Sequence, residues 1–160
     1  MNLAERLKRE TRSQHVEVER TPFIAALLRG RLDRRGYLLL LRNLKAIYAA
    51  LEPALHRHAA HPALARFDFA ALARTDALAS DIEALRDDLE GDDDSPPLGQ
   101  PTVAHADHLA TLDQAASERL LAHAYVRYLG DLSGGQVLGR IVRESFRLPR
   151  ARGRRSTTSA

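Results

Sequence analysis

The chain has 160 residues, a length typical of one domain with its own hydrophobic core. Its hydrophobic content of 44% and charged content of 28% indicate a globular protein rather than a disordered one. Cysteine is absent, which excludes disulfides, thiolate catalysis and iron–sulfur ligation, so any metal must be bound by histidine or oxygen ligands.

The basic character of the chain is concentrated at its C-terminal end. The sequence has a net charge of +3, and residues 149–160 contain arginines but no acid: Arg150, Arg152, Arg154 and Arg155. Subtracting these four leaves residues 1–148 at −1. A nucleic-acid-binding domain carries its basic surface on the fold, so we expect no nucleic-acid partner. The sequence has neither a membrane-length apolar run nor an apolar signal at its start, and we expect a cytoplasmic protein with no membrane partner.

Residues 1–20 have the pattern of an amphipathic helix. Asn2 is placed to cap it, with Glu5 three residues later as in a variant capping box. One face is traced by residues at helical spacing: Leu3, Leu7, Thr11, Gln14, His15 and Val18. A single histidine on such a face is usually a core or edge residue, so its position alone does not make His15 a ligand.

Two further helices follow. Thr21 before Pro22 is typical of a helix start, and Gly30 suits the end of this short helix. Asp33 is placed to cap a longer, largely buried helix that reaches residue 58, with a bend or a break at Pro53. The histidines at its end lack the spacing of zinc-binding helices, and we interpret them as a polar helix end: His56, His58 and His61.

The middle of the chain is also helical. Residues 67–89 have a helical pattern that stops at Gly91, and the following acidic segment is rich in proline and glycine, as in a loop. Val103–Ala115 is a further helix, on which we interpret His105 and His108 as a solvent-facing edge rather than a metal site. Because no stretch shows the alternation of a strand, the sequence predicts an all-α fold.

The strongest chemical signal lies in Leu120–Ile141, LLAHAYVRYLGDLSGGQVLGRI, a helix that we expect Ser117 to cap. Its apolar residues recur near the helical period although it contains four glycines, each costing about 1 kcal/mol relative to alanine. Arg127, Gly130, Asp131 and Gly134 share one face, so bare backbone lies beside a carboxylate. Spacing alone allows either a flat ligand or a second helix to cover this face.

Two segments resemble the heme oxygenases, the biliverdin-forming enzymes for which heme is both cofactor and substrate. HAYVRYLGDLSGGQVLGRI, residues 123–141, is similar to the glycine-rich distal helix of that family at nearly every position. LKRETRSQHVEVE, residues 7–19, has the form of the family's first helix, LK-x2-T-x3-H-x3-E. The resemblance covers roughly residues 1–148 and implies one all-α, heme oxygenase-like helical domain over that range.

The resemblance assigns roles within the glycine-rich helix. In the family this helix lies across the distal face of the heme, and its aspartate organises the water that delivers protons during the reaction. Carried over by position, this residue is Asp131, and Arg127 one turn earlier would orient it. Gly130 and Gly134 would allow close approach to the heme, and Tyr125 would belong to the same pocket.

The resemblance also assigns roles within the first helix. His15 would be the axial ligand of the heme iron. Glu19, one turn later, would accept a hydrogen bond from the second imidazole nitrogen and fix the ring. Lys8 would contact a heme propionate, and Thr11 would belong to the same heme-binding motif.

The implied reaction is the oxidation of heme b at a meso carbon, which opens the ring to biliverdin and releases carbon monoxide and iron. Dioxygen would be the co-substrate, and electrons would come from an external donor such as ferredoxin, a flavoprotein reductase or ascorbate. Two alternatives remain: a catalytically impaired heme-binding or heme-sensing protein, and a helical scaffold that binds no heme.

The C-terminal end departs from the family pattern. Family members continue with helices that close the core, whereas this sequence ends in PRARGRRSTTSA. We expect a truncated or frameshifted enzyme that lacks the usual C-terminal helices and binds heme loosely. We also expect residues 149–160 to be a basic, disordered tail.

Overall fold

The computed structural model describes residues 3–89 and 96–146, and in these residues every regular element is a helix, as the sequence predicts. The α-helices of this part are α1 (Leu3–Glu10), α2 (Arg12–Glu19), α3 (Pro22–Leu28), α4 (Arg34–Arg57), α5 (Thr75–Asp88), α6 (Gln100–Ala115) and α7 (Leu120–Phe146). The predicted stop at Gly91 and the predicted tail, residues 149–160, lie outside the described residues.

The chain divides into two compact units. One contains the residues before Asp33 together with those from Gln136 onward, and the other is Asp33–Gly135. The N-terminal part of α7 therefore belongs to the second unit and its C-terminal part to the first.

In the first unit, the single helix predicted for residues 1–20 is divided at Thr11. This residue has φ −96° and ψ 1°, and its Oγ1 donates to the Leu7 carbonyl at 2.9 Å, so it separates α1 from α2. A hydroxyl that bonds back to the preceding turn commonly disturbs a helix, which explains the interruption. The predicted end of the next helix is confirmed, because Gly30 has φ +64° and a Cβ there would lie 2.6 Å from Ser145 Oγ.

The second unit is built around α4. Its core consists mainly of leucines from four helices, and its fully buried members include Leu38, Leu51, Leu55, Leu109 and Leu120. Asp33 caps α4 as predicted, accepting from the Gly36 amide at 2.7 Å. Pro53 lies inside α4, which continues to Arg57, so the break allowed at Pro53 is not found. Proline has no N–H, so Pro53 cannot donate to the carbonyl of Ala49, four residues earlier. Both residues are exposed, so this carbonyl lies on the solvent side of α4 rather than in the core.

The helix predicted over residues 67–89 is shorter in the structure. Only Thr75–Asp88 is α-helical, and a 3₁₀ turn precedes it at Ala70–Leu72. The Glu52 carboxylate explains why α5 begins at Thr75, since it accepts from the Arg74 amide at 2.6 Å and from Thr75 Oγ1 at 2.6 Å. The predicted cap at Ser117 is likewise replaced by a 3₁₀ turn, Ser117–Arg119, before α7 begins at Leu120.

No helix among the described residues is long and apolar enough to cross a membrane. The compartment of the protein therefore remains a prediction from the sequence.

Asp113 joins the end of α6 to the end of α4. Its Oδ2 lies 2.6 Å from Arg57 Nη2, and its Oδ1 lies 2.9 Å from His58 Nε2. The hydrogen bond from Arg57 is the main reason why the pKa of Asp113 is lowered. The ionised carboxylate therefore stabilises the folded state at pH values above the pKa it has in the unfolded chain, about 3.9.

We expect Asp113→Asn to lower the free energy of unfolding by about 1–2 kcal/mol at pH 7, because charge-assisted hydrogen bonds to Arg57 and His58 are lost. This difference should shrink as the pH falls through the folded-state pKa, because the wild-type carboxyl is then also neutral. Urea unfolding at pH 7 and at pH 3 measures both values. Asp107→Asn, an exposed residue of the same helix, is the control. A difference that does not decrease between pH 7 and pH 3 would contradict this assignment.

Candidate active site

Asp131 of α7 is held by side chains from three parts of the second unit. Tyr48 of α4 donates its hydroxyl to Oδ2 at 2.6 Å, and Arg127 donates from Nη2 to Oδ1 at 3.1 Å. Arg74, just before α5, places its Nε 3.8 Å from Oδ2. The carboxylate is nevertheless 29% exposed, so it can still reach water or a ligand.

Tyr48 remains a hydrogen-bond donor at all ordinary pH values. Its side chain is fully buried, and this burial, followed by the hydrogen bond to Asp131, raises the pKa of its hydroxyl. The Arg127 guanidinium lies 5.6 Å from the centre of the Tyr48 ring, a cation–π contact. Arg127 Nε is buried and has no hydrogen-bond partner among the described residues. The Tyr48–Arg127 pair thus fixes the direction of the carboxylate.

A second layer of residues supports this pair. The Tyr128 ring packs on Tyr48 with centroids 5.5 Å apart and on Phe69 at 6.1 Å. Its hydroxyl lies 3.5 Å from Glu52, the carboxylate that also starts α5. Burial is the main cause that raises the pKa of Tyr128, so it too stays protonated. The support for Asp131 therefore extends from α7 to α4 and to the segment before α5.

The glycines beside Asp131 face open space. A Cβ built at Gly130, Gly134 or Gly135 meets no described atom within 4 Å. Apolar side chains nearby are also exposed, including Leu129 at 46% and Leu132 at 58%. Within Asp33–Gly135, no described helix covers this face, which favours the flat-ligand interpretation over helix packing. A bare, apolar strip beside one fixed carboxylate fits the flat body and the reactive polar centre of a heme.

In the first unit, the structure brings together the two α2 residues that the sequence pairs. His15 Nδ1 lies 3.4 Å from Glu19 Oε1, and the His15 side chain is 73% exposed. This arrangement engages one ring nitrogen and leaves Nε2 available for a metal bond. Lys8 is exposed, whereas the Thr11 hydroxyl is bonded to the backbone. The roles of these four residues stay predictions.

Tyr125 is 41% exposed, and no described hydrogen bond or ring contact joins it to Asp131. The tyrosines that form this site are Tyr48 and Tyr128, which sequence reasoning missed. A signal was present in α4, because Tyr48 and Glu52 stand four residues apart and therefore share one face of the helix. The buried hydroxyl of Tyr48 needs a partner, which Asp131 provides, and the partly buried Glu52 lies 3.5 Å from the Tyr128 hydroxyl.

Comparisons with known proteins agree with the family resemblance found in the sequence. The sequence model of the heme oxygenase family matches residues 1–158. The chain is 37% identical over 155 residues to heme oxygenase 2 of Synechocystis sp., covering 95% of this chain and 60% of the relative. It is 39% identical over 150 residues to the heme oxygenase of Takifugu rubripes, covering 92% and 53% of the two chains.

The structure is also similar to solved structures of heme oxygenases. The structure superposes with a TM-score of 0.83 on Synechocystis heme oxygenase-2 in complex with heme and NO, at 35% identity over 96% of this chain and 62% of that one. It superposes with a TM-score of 0.82 on the heme oxygenase of Leptospira interrogans, at 29% identity over 96% and 74% of the two chains. The chain belongs to the heme oxygenase family and has its helical fold, although it spans only about 53–60% of the first two curated relatives.

Proposed function

We propose that this protein is a heme oxygenase, which oxidises heme b to biliverdin with release of carbon monoxide and iron. One observation carries the proposal: Asp131 is fixed by Tyr48 and Arg127 beside a strip of α7 whose glycines face open space. Structures of two Synechocystis relatives, at 30% and 35% identity, contain heme, which supports the same ligand here.

Each group of residues has a separate task in this proposal. His15 would hold the heme iron through Nε2, and Glu19 would fix its tautomer by accepting from Nδ1. Lys8 neutralises a heme propionate, and Thr11 and Tyr125 complete the binding surface. Bound heme itself supplies the oxidising chemistry. Gly130 and Gly134 permit close contact between the backbone of α7 and the flat ligand.

Asp131 has the catalytic task. Its carboxylate oxygens accept from Tyr48 and Arg127, and the exposed part of the side chain can hold a water molecule. A water held there would deliver protons during the reaction, as general acid catalysis requires. Arg127 and Tyr48 are positioning residues, because they touch Asp131 rather than the substrate.

The proposal also includes dioxygen as co-substrate and an external electron donor, which is ferredoxin, a flavoprotein reductase or ascorbate. We place the reaction in the cytoplasm.

Hemin titration followed by reduction tests the proposal. Addition of hemin to the heme-free protein should shift the Soret band, and ascorbate in air should then replace that band with the absorbance of biliverdin. A Soret shift without biliverdin would favour the heme-sensing alternative. No Soret shift would favour the scaffold that binds no heme.

Tyr48→Phe should slow biliverdin formation about tenfold while leaving hemin affinity unchanged within about twofold. The substitution removes a hydrogen bond to a charged group, worth about 1.5–3 kcal/mol, but Arg127 still holds Asp131. Single-turnover absorbance kinetics measure the rate. Tyr37→Phe, a partly buried tyrosine of the same helix, is the matched control. Equal rates in wild type and Tyr48→Phe would contradict the positioning role of Tyr48.

A further inference from the structure

Two tyrosines of the second unit, Tyr48 and Tyr128, pack ring against ring next to Asp131. Their ring centres are 5.5 Å apart, and each hydroxyl has a carboxylate beside it. Tyr48 donates to Asp131 Oδ2 at 2.6 Å. The Tyr128 hydroxyl lies 3.5 Å from Glu52 Oε1. Only the first of these hydroxyls is bonded to Asp131, so the positioning of Asp131 does not explain the second phenol and its carboxylate.

The composition of the chain makes tyrosine its main redox-active side chain. The sequence contains no tryptophan and no cysteine, and its single methionine is Met1. Of its four tyrosines, two form this pair, and the others are Tyr37 and Tyr125. A one-electron oxidant formed beside Asp131 would therefore meet an oxidisable side chain in Tyr48, whose hydroxyl touches that carboxylate.

Oxidation of either tyrosine requires a base for its proton, because a phenol that loses an electron becomes a strong acid. Burial is the leading cause that raises the pKa of both hydroxyls, so Tyr48 and Tyr128 start protonated. Asp131 and Glu52 are the bases, since a carboxylate near hydrogen-bond reach can take a proton as the electron leaves. The pair thus has a short path for an electron and an acceptor for each proton.

The aromatic stack continues past Tyr128, but its readily oxidised part ends there. The Phe69 ring centre is 6.1 Å from that of Tyr128 and 5.5 Å from that of Phe67, and phenylalanine has no hydroxyl proton to release. Tyr128 also lines a cleft of about 290 Å³ between the end of α4 and residues 67–73. A small reductant can enter this cleft from solvent and approach the Tyr128 ring.

We propose that Tyr48 and Tyr128 are an electron relay that carries oxidising equivalents out of the active site when peroxide oxidises bound heme. This relay rests on the heme binding proposed for the chain. The oxidised heme takes one electron from Tyr48, whose proton goes to Asp131. Tyr128 then gives an electron to Tyr48, and Asp131 returns the proton. The proton of Tyr128 goes to Glu52. A small reductant such as ascorbate finally supplies one electron to Tyr128, and Glu52 returns the proton.

Freeze-quench electron paramagnetic resonance of the hemin-loaded chain, mixed with an organic peracid in the absence of reductant, tests the relay. Wild type should show a tyrosyl radical. Tyr48→Phe should lose most of this signal, because the first donor is missing. Tyr128→Phe should keep a radical with a different hyperfine pattern, because the radical then stays on Tyr48. Tyr37→Phe, a substitution in the same helix as Tyr48, is the matched control and should give the wild-type signal.

A nitroso spin trap identifies the end of the relay in wild type, so this readout does not depend on the folding of any variant. Peptide mass spectrometry should find the trap on Tyr128. A trap found only on Tyr37 or Tyr125 would overturn the proposal, as would a radical signal that neither Tyr48→Phe nor Tyr128→Phe changes. A chain that binds no hemin would overturn the relay together with the proposed function. Biliverdin formation without a tyrosyl radical would overturn the relay alone.

Discussion

His15→Ala should abolish the spectrum of histidine-ligated heme and weaken hemin binding at least about tenfold, because it removes the residue that we propose as the iron ligand. The fold should survive. Residues of α2 are not buried, the His15 side chain is 73% exposed, and alanine is the best helix former. Circular dichroism checks the helix content, and a hemin titration followed at the Soret band measures ligation and affinity.

Two further variants test whether the effect is specific to His15 and its hydrogen-bond partner. Glu19→Gln keeps His15 but weakens the acceptor 3.4 Å from its Nδ1, so it should shift the ligation spectrum without abolishing it. His56→Ala removes a histidine at the end of α4 and should leave the spectrum unchanged. An unaltered histidine-ligated spectrum in His15→Ala would show that another histidine binds the iron.

Asp131→Ala should bind hemin about as tightly as wild type but form biliverdin about 100-fold more slowly, which is the usual range for the loss of an acid–base group. The heme would then be consumed by unproductive oxidation instead of ring opening. The reason is local: Tyr48 and Arg127 converge on this carboxylate, which in our proposal holds the water for proton delivery. Chromatography of the pigments separates biliverdin from the other products.

Two substitutions at Asp131 distinguish the effect of losing the negative charge from the effect of losing the side chain. Asp131→Asn keeps the volume and can still accept from Tyr48, so it should retain more activity than Asp131→Ala. Asp107→Ala, which removes an exposed acid of α6, should behave as wild type. Biliverdin yields that are equal in wild type and Asp131→Ala would remove Asp131 from the mechanism.

The parts of the fold set by local chemistry could be predicted from the sequence. Asp33, Pro22 and Gly30 mark helix ends through capping, a fixed φ and a positive φ, and each effect depends on one or two residues. The start of α5 could not be predicted in this way. It is fixed by Glu52, a residue of α4 that lies 22 positions before Arg74 in sequence.

The contacts of the candidate site also fall into those that sequence spacing predicts and those that only the fold creates. Arg127 and Asp131 are one helical turn apart, so their ion pair follows from sequence spacing alone. Tyr48 lies 83 positions before Asp131, and only the folded chain brings them together. The open space beside Gly130 was equally beyond sequence reasoning, since glycine spacing is the same in helix packing and in ligand binding.

The most direct test of the proposed function is the amount of carbon monoxide released per heme. The purified chain with one equivalent of hemin is treated with ascorbate in air, with catalase present to remove free peroxide, and the gas is quantified. Our account predicts nearly one equivalent of carbon monoxide alongside biliverdin, and little from Asp131→Ala. Carbon monoxide no greater than that from hemin without protein would contradict it.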